Sequence, residues 1–258
     1  MSILAVSDTS PIHRLNPVTK LVFAFSVTVC GFAHTSALWP LALLLLVLLP
    51  AIVYAGALRR FTQLLALFSA PVVVALFLVQ GFFYPGAERV IAALGPARLS
   101  YEGLIFAAQT ALHIMVLVAS FLFLLLTTSP SRLMSAMTQR GMSPKIVYVI
   151  SAALQIGPAF AARAQRILQA QQAHGLVIRG LRGRVRALVP LAGPLILGAF
   201  TEIGDRAAAM ETRAFGVTRR PTSLSGPLPD STGQRVARAV MILCAATAVA
   251  VNVWGVIR

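Results

Sequence analysis

Long uncharged apolar stretches, separated by short polar turns, make up most of the first half of the chain. No Lys, Arg, Asp or Glu occurs from Leu21 to Leu58, a stretch too long for one membrane-spanning helix of about 20 residues. The polar run His34-Thr35-Ser36 interrupts it, so the pattern predicts two helices joined by a tight turn. Three further uncharged stretches cover residues 61–87, 103–131 and 239–257.

Together these stretches predict an all-α polytopic membrane protein with about five transmembrane helices. A helix satisfies its own backbone hydrogen bonds inside lipid, whereas an open strand does not. The composition agrees, since 58% of the 258 residues are hydrophobic and 11% are charged, against about 45–50% and 25% in a soluble domain. A soluble protein of this size could neither bury that much apolar surface nor coat its exterior with charge.

The net charge of +15 is concentrated in one part of the chain. Residues 129–238 contain fifteen basic and four acidic residues, and basic residues accumulate on the cytoplasmic side of a membrane protein. The pattern therefore places the N-terminus and this segment in the cytoplasm and the C-terminus outside. We predict a membrane domain of four helices over residues 1–128, a cytoplasmic helical domain over 129–220, and a linker with the last transmembrane helix over 221–258.

Helix start and stop signals indicate that the long basic segment is folded. Ser129-Pro130 and Gly141 bracket a short helix, because Pro favours the first helical turn and Gly follows the last. Ser143-Pro144 begins a helix predicted to run to about Ala173. Its residues 146–162 carry no charge, so they either form a short span or lie at the membrane boundary, which we favour.

A second long amphipathic helix is predicted after a basic link over residues 177–186. Gly193-Pro194 marks its start, and an apolar seam recurs every three or four residues, as on a helix that packs against another. Glu202 and Arg206 fall off this seam and form a favourable pair four residues apart. The seam comprises Ile196, Phe200, Ile203, Ala207, Met210 and Ala214.

Both long helices end in a basic residue between small ones. The first ends in Ala173-His174-Gly175 and the second in Thr212-Arg213-Ala214. A cation at a helix C-terminus complements the helix dipole, and small neighbours allow a partner's backbone to approach closely. Each end is either a plain helix cap or a contact that inserts into a partner's groove.

Four segments in this order resemble the transmembrane T-component of energy-coupling factor (ECF) transporters. The N-terminal stretch His13–Lys20 is similar to the family motif His-x-Leu-Asp/Asn-Pro-x-x-Lys through Leu15, Asn16, Pro17 and Lys20. Thr127-Thr128-Ser129-Pro130 is similar to the break after the fourth span. The two basic helix ends resemble the family's coupling motifs, although the first has His174 where the family pattern is Ala-Arg-Gly. Histidine is shorter than arginine and only partly charged at neutral pH.

The resemblance implies a scaffold subunit with no catalytic residue, cofactor or metal of its own. Its partners would be two ABC-type ATPases, which bind ATP-Mg, and a membrane S-component, which binds a vitamin or a transition-metal ion. The coupling motifs would dock into grooves on the ATPases, whose closure would move the two coupling helices and reorient the S-component. The resemblance also implies a location in the bacterial cytoplasmic (inner) membrane.

Two other classes of function stay open from the residues alone. An autonomous permease would transport without ATP, but cation-coupled carriers commonly hold an acidic residue within a span, and the predicted spans contain none. An intramembrane enzyme would need a nucleophile–base pair or a metal cluster. ATP binding by this chain itself is not expected, because it has no Gly-x-x-x-x-Gly-Lys-Ser/Thr loop for the phosphates.

Two groups of cations suggest further contacts. Lys20 either anchors the first span to lipid phosphate or fixes it to the cytoplasmic helices. Arg179, Arg182, Arg184 and Arg186 are expected to meet anionic lipid headgroups. Nucleic acid is not an expected partner, because no recognition motif accompanies these arginines.

Overall fold

The computed structural model describes residues 15–34, 36–85, 89–94, 97–176, 180–214 and 230–257. They belong to two compact units. The first, which we call the membrane unit, comprises Met1–Ala136 and Pro227–Arg258, and the second, the two-helix unit, comprises Met137–Gly226.

Eight helices and one β-hairpin occur within the described ranges. In chain order the helices are α1 (Pro17–Phe32), α2 (Leu38–Tyr54), α3 (Leu58–Phe83), α4 (Tyr101–Thr127), α5 (Pro130–Gln139), α6 (Pro144–Ala173), α7 (Gly180–Thr212) and α8 (Thr232–Ile257). The hairpin strands are β1 (Val90–Leu94) and β2 (Ala97–Ser100), paired antiparallel between α3 and α4. The helical fold class predicted from the sequence is confirmed; the hairpin was not predicted.

Within the described residues, five helices are long and apolar enough to cross a membrane, and three of them coincide with predicted spans. The helices α3, α4 and α8 match predicted spans, whereas α1 and α2 are shorter apolar helices. The other two long apolar helices are α6 and α7, which the charge pattern placed in the cytoplasm. Length and apolar composition alone do not separate a span from a coupling helix, so the side of the membrane on which α6 and α7 lie stays a prediction.

The core of the membrane unit lies among α1, α2, α3 and α4. Its fully buried side chains include Leu48, Ile52 and Val116. Gly103, near the start of α4, comes so close to α3 that a Cβ atom there would collide with the Gln80 carbonyl oxygen. This close approach requires glycine, and it sets the spacing of the two helices at the hairpin end.

The helix α2 contains a π-helical segment over Leu43–Leu48. Pro50 lies two residues after this segment. It has no backbone N–H to donate, and its ring would clash with the carbonyl four residues earlier in a regular helix. The Leu49 N–H instead bonds the Leu44 carbonyl, five residues back. Local widening before a proline is one of the known causes of such segments.

The two-helix unit contains α6 and α7, which were predicted with unequal success. The helix α6 has the predicted bounds, Pro144–Ala173. The prediction for α7 was wrong at its start, because the helix begins at Gly180 and contains Pro190 and Pro194 in its interior. Most of the predicted basic link is therefore helical; Arg, its most frequent residue, is favourable in helices.

Candidate functional site at the basic helix ends

The end of α6 is a Schellman motif, a helix stop built on a left-handed residue. Gly175 has φ +92°, its N–H bonds the Gln172 carbonyl at 3.0 Å, and the Leu176 N–H bonds the Gln171 carbonyl at 3.0 Å. These bonds satisfy carbonyls that a helix C-terminus otherwise leaves without partners. The basic residue His174 is the last residue before the left-handed position.

The end of α7 repeats this geometry with different residues. Ala214 has φ +53°, and its N–H bonds the Glu211 carbonyl at 3.0 Å. Arg213 occupies the place that His174 has in α6, again just before the left-handed residue. The equivalence of the two motifs, inferred from sequence, therefore holds in backbone geometry within the described residues. Phe215 and Gly216 of the second motif lie outside those residues.

Every residue of the two predicted coupling motifs is exposed on the chain. This set comprises Ala173, His174, Gly175, Thr212, Arg213 and Ala214. A basic side chain on an exposed helix end is available to a partner, and the partial negative charge of the helix C-terminus favours a cation there. The arrangement is suited to protein contact; among the described residues, no cluster of His, Cys, Asp or Glu could hold a metal ion.

The N-terminal motif lies apart from these ends, at the start of α1 in the membrane unit. Leu15 is partly exposed, whereas Asn16 is buried. The Asn16 side chain accepts a hydrogen bond from the Val18 N–H at 3.0 Å and so caps α1, with Pro17 in the first turn. This is the standard use of Asn and Pro at a helix start. His13 and Arg14 lie outside the described residues.

Lys20 does not face lipid phosphate in this structure. Its side chain is buried, with 3% exposure, and the ammonium group donates to the Thr127 backbone carbonyl at 2.7 Å. Thr127 is the last residue of α4, so the cation meets the negative end of that helix. Lys20 thus joins α1 to the end of α4, beside the Thr127-Thr128-Ser129-Pro130 break.

Three residues at the start of α8 complete this cluster and were not predicted. Gln234 accepts from the Asn16 backbone N–H at 3.1 Å. Arg238, 8% exposed, donates to the Thr19 hydroxyl at 2.9 Å and forms two bonds of 2.9 and 3.0 Å with Asp230. In the sequence, the available signal was Asp230, an acid just before the last apolar helix, followed eight residues later by Arg238.

The two long helices contact each other through a cluster of three charged side chains, of which the sequence predicted one pair. The predicted pair is present, with the Arg206 guanidinium donating to Glu202 at 2.6 Å. Glu202 also accepts a hydrogen bond from Arg163 of α6 at 2.8 Å, a contact that was not predicted. An apolar cavity of about 300 Å³ lies beside this cluster.

The arginines expected to contact anionic lipid cannot be placed by the structure. Arg179 lies outside the described residues, as do the side chains of Arg182, Arg184 and Arg186. The contact with lipid headgroups therefore stays a prediction.

The family of the chain follows from comparison with known proteins. The model of the CbiQ family, described as cobalt transport protein, matches residues 8–224. The chain belongs to the CbiQ family. The match includes both basic helix ends and the N-terminal motif, and it confirms the resemblance drawn from those segments.

Relatives of this CbiQ-family chain carry the name energy-coupling factor transporter transmembrane protein EcfT. The protein of Thermosediminibacter oceani is 29% identical over 224 residues, which cover 81% of this chain and 82% of that protein. The protein of Exiguobacterium sibiricum is 30% identical over 227 residues, covering 81% and 83%. The protein of Heliobacterium modesticaldum is 31% identical over 236 residues, covering 84% and 86%.

Proposed function

We propose that this CbiQ-family protein is the T-component that couples two ABC-type ATPases to a membrane S-component in an ECF transporter. The observation that carries the proposal is the pair of exposed basic helix ends, His174 and Arg213, built on the same left-handed stop. Two equivalent ends suit two equivalent partners, such as the subunits of an ATPase dimer. The family and the EcfT relatives support this assignment.

In this proposal the chain is a non-catalytic subunit of the bacterial cytoplasmic membrane. ATP-Mg is bound by the ATPases, and the S-component selects the substrate, a vitamin or a transition-metal ion. The N-terminus and both basic ends face the cytoplasm, where ATP-driven closure of the ATPases moves α6 and α7. The movement reorients the S-component.

The proposal is tested by reversing the charge of the second basic end. Arg213→Glu replaces a cation that would make charge-assisted hydrogen bonds, each contributing about 1.5–3 kcal/mol. We expect the purified chain to lose roughly 10- to 150-fold in affinity for its co-expressed ATPases, measured by co-purification and by titration in detergent. Arg166→Glu is the matched control, because it makes the same charge change at an exposed position of α6 outside the motifs.

Normal ATPase binding by Arg213→Glu would contradict the coupling role. An equal loss in both variants would show that overall charge, rather than the basic end, attracts the ATPases. Uptake by the chain alone in liposomes without ATP would instead support an autonomous permease.

The first basic end is expected to contribute less. His174 presents a shorter side chain with fewer hydrogen-bond donors than the Arg213 guanidinium, so His174→Ala should weaken ATPase binding less than Arg213→Ala does. His174→Arg restores the residue of the family pattern and should bind at least as tightly as the parent chain. Loss of binding in His174→Arg would show that the two ends do not dock in equivalent grooves.

A further inference from the structure

The contact between α6 and α7 is organised around one carboxylate. Each oxygen of Glu202 accepts from a different arginine, Oε2 from Arg163 of α6 at 2.8 Å and Oε1 from Arg206 of α7 at 2.6 Å. The Arg206 guanidinium also interacts with Tyr148 of α6. Arg206, one turn away on the same helix, thus binds the carboxylate oxygen of Glu202 that is not bonded to Arg163.

The inter-helix pair lies at the same distance along the chain from both basic ends. Arg163 precedes His174 by 11 residues, and Glu202 precedes Arg213 by 11 residues. At 1.5 Å per residue each end is therefore about 16 Å along its helix from the pair. A rotation of α6 against α7 about this contact would move the two ends by similar amounts.

The packing around the pair leaves room for such a rotation. Gly198 of α7 presents no side chain to Arg163, whose guanidinium lies 3.3 Å from where a Cβ atom would be. Beside the pair, the cavity of about 300 Å³ is lined by large side chains such as Phe160 and by small or flexible ones such as Ala207 and Met210. Close contact at the pair and space beside it favour rotation over rigid packing.

The pair is placed where its contribution to stability is small. The side chains of Arg163 and Glu202 are 30% and 32% exposed, and ion pairs with this access to water contribute little to folding because solvent screens them. A charged pair between two helices can instead fix their register. The Arg163–Glu202 pair therefore acts mainly by fixing where α6 and α7 meet, and it adds little to the free energy of folding.

We propose that Arg163 and Glu202 are positioning residues that form a fixed pivot between α6 and α7, about which ATP-driven movement swings both basic ends. This inference rests on the proposed T-component function. A pivot at this point requires that α6 and α7 stay in contact at Arg163 and Glu202 while the two basic ends move.

The first experiment measures the pivot in the full-length chain alone. A ketone-bearing amino acid introduced at Gln169 and at Ala208, both exposed, carries spin labels whose separation is measured by pulsed electron resonance. We expect a narrow distance distribution in the parent chain and one at least about twice as wide in Glu202→Gln, which loses the charged bridge. Asp205→Asn is the matched control, because it removes an exposed acid from the same helix and should stay narrow.

The second experiment tests whether the contact persists during the cycle. In a chain with Cys30→Ala and Cys244→Ala, the pair Arg163→Cys and Glu202→Cys is joined by a short bifunctional thiol reagent, and the labelled chain is assembled with its ATPases. Before cross-linking, we expect the distribution to be wide, as in Glu202→Gln. After cross-linking, the distribution of label distances should become narrow. ATP-Mg with vanadate should then change the mean distance by at least about half of the change seen in the parent chain, because rotation about a pivot is compatible with a covalent link at that point.

A narrow distribution in Glu202→Gln, or a cross-linked chain that no longer responds to ATP-Mg, would overturn the pivot. The second result would show that α6 and α7 slide or separate instead. Failure of the T-component function is a different observation, since the parent chain would then not retain the ATPases at all. The distance between the two spin labels, measured in the chain without its ATPases, would still show whether Glu202 positions the two helices.

Discussion

At the scale of single residues, the structure changes the role of Lys20 most. The sequence indicates a cation at the cytoplasmic end of α1, for which lipid phosphate and the cytoplasmic helices are the two natural partners. The structure instead buries the ammonium group against the Thr127 carbonyl at the end of α4. This partner lies 107 residues away in the chain, and a backbone carbonyl has no signature in the sequence. The choice therefore depends on packing that local patterns do not encode.

Replacing Lys20 should measure the energy of this contact. Lys20→Met keeps much of the apolar stem but leaves the carbonyl of Thr127 without the charged donor, which should lower the free energy of unfolding by about 1–3 kcal/mol. Thermal unfolding in detergent provides the measurement. The matched control is Lys145→Met, which removes the chain's other lysine from an exposed position and should leave the midpoint nearly unchanged. Equal midpoints for the two variants would show that the buried bond adds nothing.

At the scale of helices, the stops were predictable and one start was not. Gly141 and the end of α6 at Ala173 follow local rules of helix termination, and both are as predicted. The start of α7 was misplaced because Gly193-Pro194 has the local signature of a helix beginning, yet both residues lie in the helix interior. Proline inside a helix costs about 3 kcal/mol in isolation, so surrounding structure must outweigh the local preference there.

The two helix stops provide a paired prediction. Ala214 adopts a left-handed conformation that is easy only for glycine, whereas Gly175 holds the same position in α6. Ala214→Gly should stabilise the last turn of α7 by up to about 1 kcal/mol, and Gly175→Ala should destabilise the end of α6 by a similar amount. Nothing lies within 4 Å of a Cβ atom at Gly175, so the cost there is conformational rather than steric.

Hydrogen exchange of the terminal amides measures both effects. Slower exchange in Ala214→Gly and faster exchange in Gly175→Ala are expected, each confined to its own helix end. If neither substitution altered exchange, the left-handed residues would not be what terminates these helices.

At the scale of the whole molecule, composition identified a membrane protein but not which helices cross the membrane. The helices α6 and α7 are long enough to cross a membrane, as α3, α4 and α8 are, but their most apolar stretches are less hydrophobic. The density of basic residues around α6 and α7 also separates them from the other three, and it favours the cytoplasm. The arrangement of α1 with α4 and α8 could not be predicted, because it depends on polar contacts between helices more than one hundred residues apart.

The predicted location of the two-helix unit can be tested by labelling. Gln169→Cys, in a chain with Cys30→Ala and Cys244→Ala, places one thiol at an exposed site on α6. The charge distribution predicts reaction with a membrane-impermeant maleimide in inside-out vesicles and at least about tenfold less in right-side-out vesicles. Reaction mainly in right-side-out vesicles would reverse the orientation, and no reaction in either would indicate a position within the bilayer.

The bond between Asn16 and Gln234, 218 residues apart, has a consequence for biogenesis. At about 5–20 residues per second, a ribosome needs on the order of ten to forty seconds to synthesise the intervening chain. During that time α1 lacks the neighbour whose Gln234 side chain accepts from the backbone at its start. A nascent chain halted before α8 would therefore leave the Asn16 N–H without its Gln234 acceptor, so the start of α1 is completed only when synthesis is nearly finished.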